Sequence, residues 1–230
     1  MKSLELRLSR GCVVLKITQI YAIARIYMAW FIKSKLWLVN QLIIPLSMYI
    51  IFKLVIGGGF EVYALIGGCI ALFWNAGLNA LSQQMFHYRF YYRVLDMFIA
   101  SPVTPAMFAM GVSIGAFINA LLPSIPVLVL MALHLGVRVI LILPILLVTL
   151  LLGSLIGVFI ANIMRDPVKF NAFANLAYDL FVLLPPVYYP FTVIPGIFKY
   201  LALLLPTATK AEMARASLGV TVETNLLLNL

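Results

Sequence analysis

Long apolar runs, each near bilayer length, alternate along the chain with short polar or proline-rich breaks. A hydrocarbon core about 30 Å thick takes roughly 20 helical residues to cross, since a helix rises ~1.5 Å per residue. Ahead of the first run, residues 16–36 set Ile17, Ile20, Tyr21, Ala24, Met28 and Phe31 at steps of three and four. Lys16, Arg25, Lys33 and Lys35 are interleaved, which predicts a basic amphipathic helix in the membrane interface. Trp37 opens a first span over 37–56, closed by Gly57-Gly58-Gly59, and a second covers 62–82. Residues 83–105 turn polar and aromatic, with five aromatic side chains between Phe86 and Tyr92, until Pro102 and Pro105 break the pattern. A third span over 106–135 carries Pro123 and Pro126, which predict a kink, and a tight loop at Arg138 leads into a fourth over 139–164. The fifth, 170–186, is interrupted by Pro185-Pro186. Residues 187–206 stay apolar, but Pro190, Pro195 and Pro206 cut them into pieces too short to cross, as expected of a re-entrant segment sheltered by protein. After a polar stretch from Thr207, apolar character resumes at Leu226–Leu228, so the expectation is a sixth span that is missing or truncated.

The predicted fold class is therefore all-α: one polytopic membrane bundle, residues 16–230, behind a cytoplasmic tail, residues 1–15. Composition agrees, because 64% apolar and 10% charged residues over 230 positions cannot clothe a water-soluble surface. A net charge of +9, from 16 Lys and Arg against 7 Asp and Glu, raises the question of nucleic acid. Position argues against it. Lys2, Arg7, Arg10, Lys16, Arg25, Lys33 and Lys35 all precede the first span, and Arg165 and Lys169 return at the predicted inner end of the fourth. That is how a multi-pass plasma-membrane protein holds its amino terminus in the cytoplasm, with membrane lipid as the partner of its basic residues. Cys12 and Cys69 fall at different depths and make no disulfide framework.

Gly111-Val112-Ser113-Ile114-Gly115 has the spelling of a hydrolase nucleophile elbow, yet it lies mid-span with no His or acid to serve it. Small residues permitting close helix packing are the better reading, and Gly153 and Gly157 repeat that spacing. No phosphate-binding glycine loop and no His, Cys and carboxylate set with metal spacing occurs, so no catalytic residue, cofactor or metal is expected on this chain. Two polar stripes stand out. Asn171, Asn175 and Asp179 recur at four-residue steps in the fifth span, as do Asn75, Asn79 and Gln83 in the second. A carboxylate at membrane depth is costly unless it faces water or a partner, so these faces are expected to turn inward. Interhelical hydrogen bonding is the competing explanation for the asparagines.

Four features recur together: the interfacial helix; Arg93-Val94-Leu95-Asp96-Met97-Phe98 leading to Ser101-Pro102-Val103-Thr104-Pro105; Leu184-Pro185-Pro186-Val187-Tyr188-Tyr189-Pro190; and Ile194-Pro195 followed by Leu205-Pro206-Thr207. Over roughly residues 16–220 this order resembles the membrane-subunit family of type-two ATP-binding-cassette transporters, exporters of drugs, polysaccharides and lipids. Family members typically carry Gly-Thr-Leu-Glu where this chain has Arg93-Val94-Leu95-Asp96, keeping the acid in kind but replacing the glycine. The resemblance implies that residues 83–105 form a coupling helix docked on a separate ATPase subunit, through Tyr92, Arg93, Leu95, Asp96 and Phe98. It implies a second permease subunit, identical or different, ATP and Mg on the ATPase partner, and a translocation path along Asn75, Asn79, Asn171, Asn175 and Asp179. The substrate would be an amphiphilic drug, lipid or glycan moved outward. The rival is a secondary transporter or channel without an ATPase partner; those usually interrupt spans in both halves, and here the interruption is near Pro185 only.

Overall fold

The structure, a computed structural model, describes residues 17–29, 33, 35–56, 60–90, 103–194, 196 and 198–220. All the regular elements among them are helical. Three continuous stretches, Leu36–Val55, Phe60–Phe90 and Ala106–Ile163, are long and apolar enough to cross a membrane.

Helix α1, residues 17–29, forms where the three- and four-residue periodicity predicts it. It is more than a surface float. Ile23, Ala24 and Tyr27 are buried while Ile17, Tyr21 and Ile26 stay exposed. The buried face meets the third predicted span at the two glycines of the elbow-like pentapeptide. A Cβ on Gly111 would come within 2.9 Å of the Ile20 carbonyl oxygen, and one on Gly115 within 3.0 Å of the Ala24 carbonyl oxygen. That pentapeptide is a helix-packing surface.

Helix α2, Lys35–Ile51, contains Pro45 and runs on as a π turn, Phe52–Ile56. Helix α3, Phe60–Asn75, passes through a second π turn, Ala76–Leu81, into α4, Ser82–Phe90. Of the most apolar window in each stretch, 94% is buried for Phe60–Phe90, against 6% for Leu36–Val55 and 39% for Ala106–Ile163. The second predicted span is thus the post around which the others stand. Missing side chains allow the approach: Gly68 faces Pro45, Gly77 faces the Leu150 carbonyl, and Gly153 and Gly157 face Trp74, Leu78 and Ser82. Ring pairs fill the wider gaps, with Phe73 5.4 Å from Phe117 and Trp74 5.1 Å from Phe181 between centroids.

The 58-residue third stretch holds two predicted spans. Helix α5, Pro105–Leu135, is capped by Thr104, whose hydroxyl accepts from the Met107 N–H at 3.3 Å. It ends at Gly136, whose φ of +66° suits glycine alone among common residues, and a 3-10 segment, Gly136–Ile142, leads into α6, Leu143–Ile163. His134, near the end of α5, lies beside Tyr49 of α2, and Asn162, at the end of α6, beside Arg89 of α4. The expected loop at Arg138 is thus a helical corner, and α6 starts at Leu143 where the sequence suggested Val139.

Helix α7 occupies Pro167–Val182, starting three residues before the Phe170 boundary. Asp166 is its N-cap and accepts from Val168 N–H at 2.9 Å and Lys169 N–H at 3.4 Å. At about 24 Å, by the helical rise, α7 falls short of a full crossing. The proline-rich part that follows contains a 3-10 turn, Phe191–Val193, and α8, Phe198–Leu203, both too short to cross. Helix α9, Pro206–Leu218, then closes the fold, with proline in its first turn and left-handed Gly219 after it.

One buried cluster holds this end together. Arg215, fully buried, pairs with Glu212 and donates from Nη2 to the carbonyls of Pro186 at 3.1 Å and Val187 at 2.8 Å. Its guanidinium carbon stands 4.9 Å above the Tyr63 ring. Burial lowers the Arg215 pKa and the Glu212 carboxylate opposes that shift. Carbonyls left at a helix break must find donors, and Arg215 supplies them.

Candidate functional site

Polar side chains inside an apolar bundle are stable only where they meet each other, water or a ligand. Those of α2, α3 and α7 converge. Asn79 Nδ2 donates to Asn75 Oδ1 at 2.9 Å, and Asn75 Nδ2 donates to Gln41 Oε1 at 2.9 Å, so an amide chain links the central post to α2. The π turn begins directly after Asn75, and such turns recur at functional positions because they displace side chains from regular helical register. Here it does not scatter the stripe: Asn75, Asn79 and Gln83 all line one cavity of about 350 Å³. Helix α7 faces the same space with Asn175, Tyr178 and Asp179, and α2 with Trp37, Asn40 and Gln41. A smaller space of about 110 Å³ continues past Asn75, Tyr178 and Gln41 to Pro45 and Tyr188.

Of the five residues expected along a path, Asn75, Asn79, Asn175 and Asp179 meet in the cavity. Asn171, on the same stripe, is exposed and does not line it. Asn79 is buried, whereas Asn175 and Asp179 line the cavity as exposed residues. No hydrogen bond or ion pair joins the Asp179 carboxylate to another described residue. Sequence reasoning missed the α2 wall, although two adjacent amides, Asn40 and Gln41, inside an apolar run were a visible sign. Trp37, which opens the first predicted span, also lines the cavity. Tyr178 carried no such sign, since an aromatic residue in a span is usually packing.

The segment expected to dock an ATPase divides in two. Tyr92, Arg93, Leu95, Asp96 and Phe98 lie outside the described residues. The part before them belongs to the bundle. Phe86 is buried and stacks on Phe170 with centroids 4.9 Å apart and planes 8° from parallel, and Tyr88 is buried as well. Arg89 donates to Asn162 Oδ1 at 2.8 Å and sits 5.1 Å over the Phe90 ring. Two of the five clustered aromatics are therefore internal. The reason is length: the rod Phe60–Phe90, 31 residues, outruns a bilayer core, and its end packs where α6 ends and α7 begins.

Neither the curated proteins nor the solved structures compared with the chain gave a match. Residues 18–218, nearly the whole helical bundle, match the family of ABC-2 type transporters. Members of that family are membrane components without an ATPase site of their own, working with an ATP-binding-cassette ATPase subunit. The chain belongs to the ABC-2 type transporter family, as a membrane-spanning permease subunit.

Proposed function

We propose that this permease exports an amphiphilic drug, lipid or glycan across the plasma membrane, using ATP that a separate ATPase subunit hydrolyses with Mg. Its amino terminus lies in the cytoplasm, and the ATPase grips residues 83–105, with Tyr92, Arg93, Leu95, Asp96 and Phe98 as the contact. One observation carries the reading: amides from three helices and one carboxylate share a cavity of about 350 Å³ in a chain otherwise built for lipid. A carboxylate facing hydrocarbon costs about 2.5–3.5 kcal/mol even on the lenient scale. The exposed face of α7 with Asn171, Asn175 and Asp179 is therefore one that water or a second permease subunit covers.

Cysteine labelling tests the path. In a background lacking Cys12 and Cys69, Asn175→Cys and Asn79→Cys are expected to react with a membrane-impermeant maleimide in the assembled transporter, and transported substrate is expected to slow the reaction. Reaction only with a lipid-soluble maleimide, unchanged by substrate, would show that these positions face lipid or packed protein.

A further inference from the structure

The charge inventory of the cavity narrows what it takes; this step rests on the cavity being a substrate site. Among the described residues lining it none is Lys, Arg or His, and Asp179 is the one carboxylate. The Asp179 carboxylate has no hydrogen-bonding or ionic partner among the described residues, although it lies in a helix of the bundle. Asn75 and Asn79 spend part of their hydrogen-bonding capacity on each other and on Gln41. Asn40 and Asn175 line it from two different helices, α2 and α7. Two aromatic side chains, Trp37 and Tyr178, line the same cavity as the acid. A carboxylate beside electron-rich rings is the chemistry that holds an ammonium group, because the ion pair and the ring quadrupoles attract the same charge. Amides around it hydrogen-bond neighbouring hydroxyl or amine groups. An anionic head would find amide N–H donors but would also meet the Asp179 carboxylate, with no cation among the described lining residues to offset the like-charge repulsion.

We infer that the cavity selects the cationic, hydrogen-bonding head of an amphiphile, with the Asp179 carboxylate as its counter-ion and Trp37 and Tyr178 as its aromatic walls, and that it rejects anionic heads. The head fits a space of about 350 Å³ while the apolar tail stays among the lipid-facing helices.

The test uses the full-length permease in phosphatidylcholine nanodiscs, with empty nanodiscs as the baseline. Three probes share a dansyl-labelled undecyl chain and differ only in the head: ammonium, hydroxyl or carboxylate. Fluorescence anisotropy is expected to give saturable binding of the ammonium probe, about tenfold weaker binding of the hydroxyl probe, the scale of one charge-assisted hydrogen bond, and none of the carboxylate probe. Asp179→Asn is expected to bring ammonium affinity down to that of the hydroxyl probe and to leave the latter unchanged. Ala80→Trp and, as a second block, Asn175→Phe are expected to remove saturable binding of all probes, with monodisperse elution confirming that each variant folds. If the blocks remove binding but Asp179→Asn keeps the ammonium preference, or if the carboxylate probe binds as well as the ammonium probe, charge selection is wrong and the cavity as a site stands. If neither block changes binding, or no probe binds saturably, the cavity is not the site and the inference falls with it.

Discussion

Gly157 shows how much one absent side chain decides. A Cβ there would strike the Leu78 carbonyl and approach the Ser82 Cβ to 2.9 Å, contacts with backbone and a short side chain that cannot swing aside. Gly157→Leu is therefore expected to cost about 1–3 kcal/mol or more, read as a lowered melting temperature in detergent. Leu155→Ala, on the exposed face of the same helix, is expected to change stability by less than about 0.5 kcal/mol. Equal melting of the two variants would contradict the packing described. The four-residue spacing of Gly153 and Gly157 was legible in the sequence because the spacing is itself the contact surface. Asp179 was legible for a different reason, since a carboxylate in an apolar run is expensive anywhere but at a polar site. Tyr178 was not, because nothing in its identity distinguishes a cavity wall from packing.

At the scale of elements, α9 carries the clearest lesson. Its start at Pro206, its stop at Gly219 and its alanines at 208, 211 and 214 spell a helix, yet the stretch from Thr207 read simply as polar. What could not be read locally is that Arg215 turns inward to carbonyls 28 and 29 residues away. Periodicity reports a helix, whereas a long-range hydrogen bond depends on where two separate elements land. Arg215→Ala leaves Glu212 buried without its partner and the Pro186 and Val187 carbonyls without that donor. The expected loss is about 3–5 kcal/mol, measured as thermal unfolding in detergent. Glu212→Leu combined with Arg215→Met is expected to recover part of it, because no buried charge then lacks a partner. A single variant as stable as the parent would show that the cluster does not hold the end closed. Helix starts were legible where caps mark them, as Thr104 with Pro105 and Asp166 with Pro167 do.

For the whole molecule, the alternation of apolar runs and basic ends conveyed a helical membrane bundle. It did not convey which helix stands at the centre, since Leu36–Val55 and Phe60–Phe90 are similarly apolar and differ in burial, 6% against 94%. The difference comes from tertiary packing, with the glycines at 67, 68 and 77 as its local trace. The proposed handle makes a prediction at this scale. Replacing Arg93, Leu95, Asp96 and Phe98 together is expected to abolish copurification of the ATPase subunit while the permease still elutes as a folded species. Retained copurification would move the docking surface elsewhere.

The account stands or falls on whether substrate moves through the cavity between α2, α3 and α7. The direct measurement is ATP-driven accumulation of a fluorescent substrate in inside-out vesicles holding the assembled transporter, wild type against Ala80→Trp. Accumulation is expected to be abolished by the indole while the ATPase subunit remains bound and hydrolyses ATP. Undiminished accumulation with the cavity filled would contradict it.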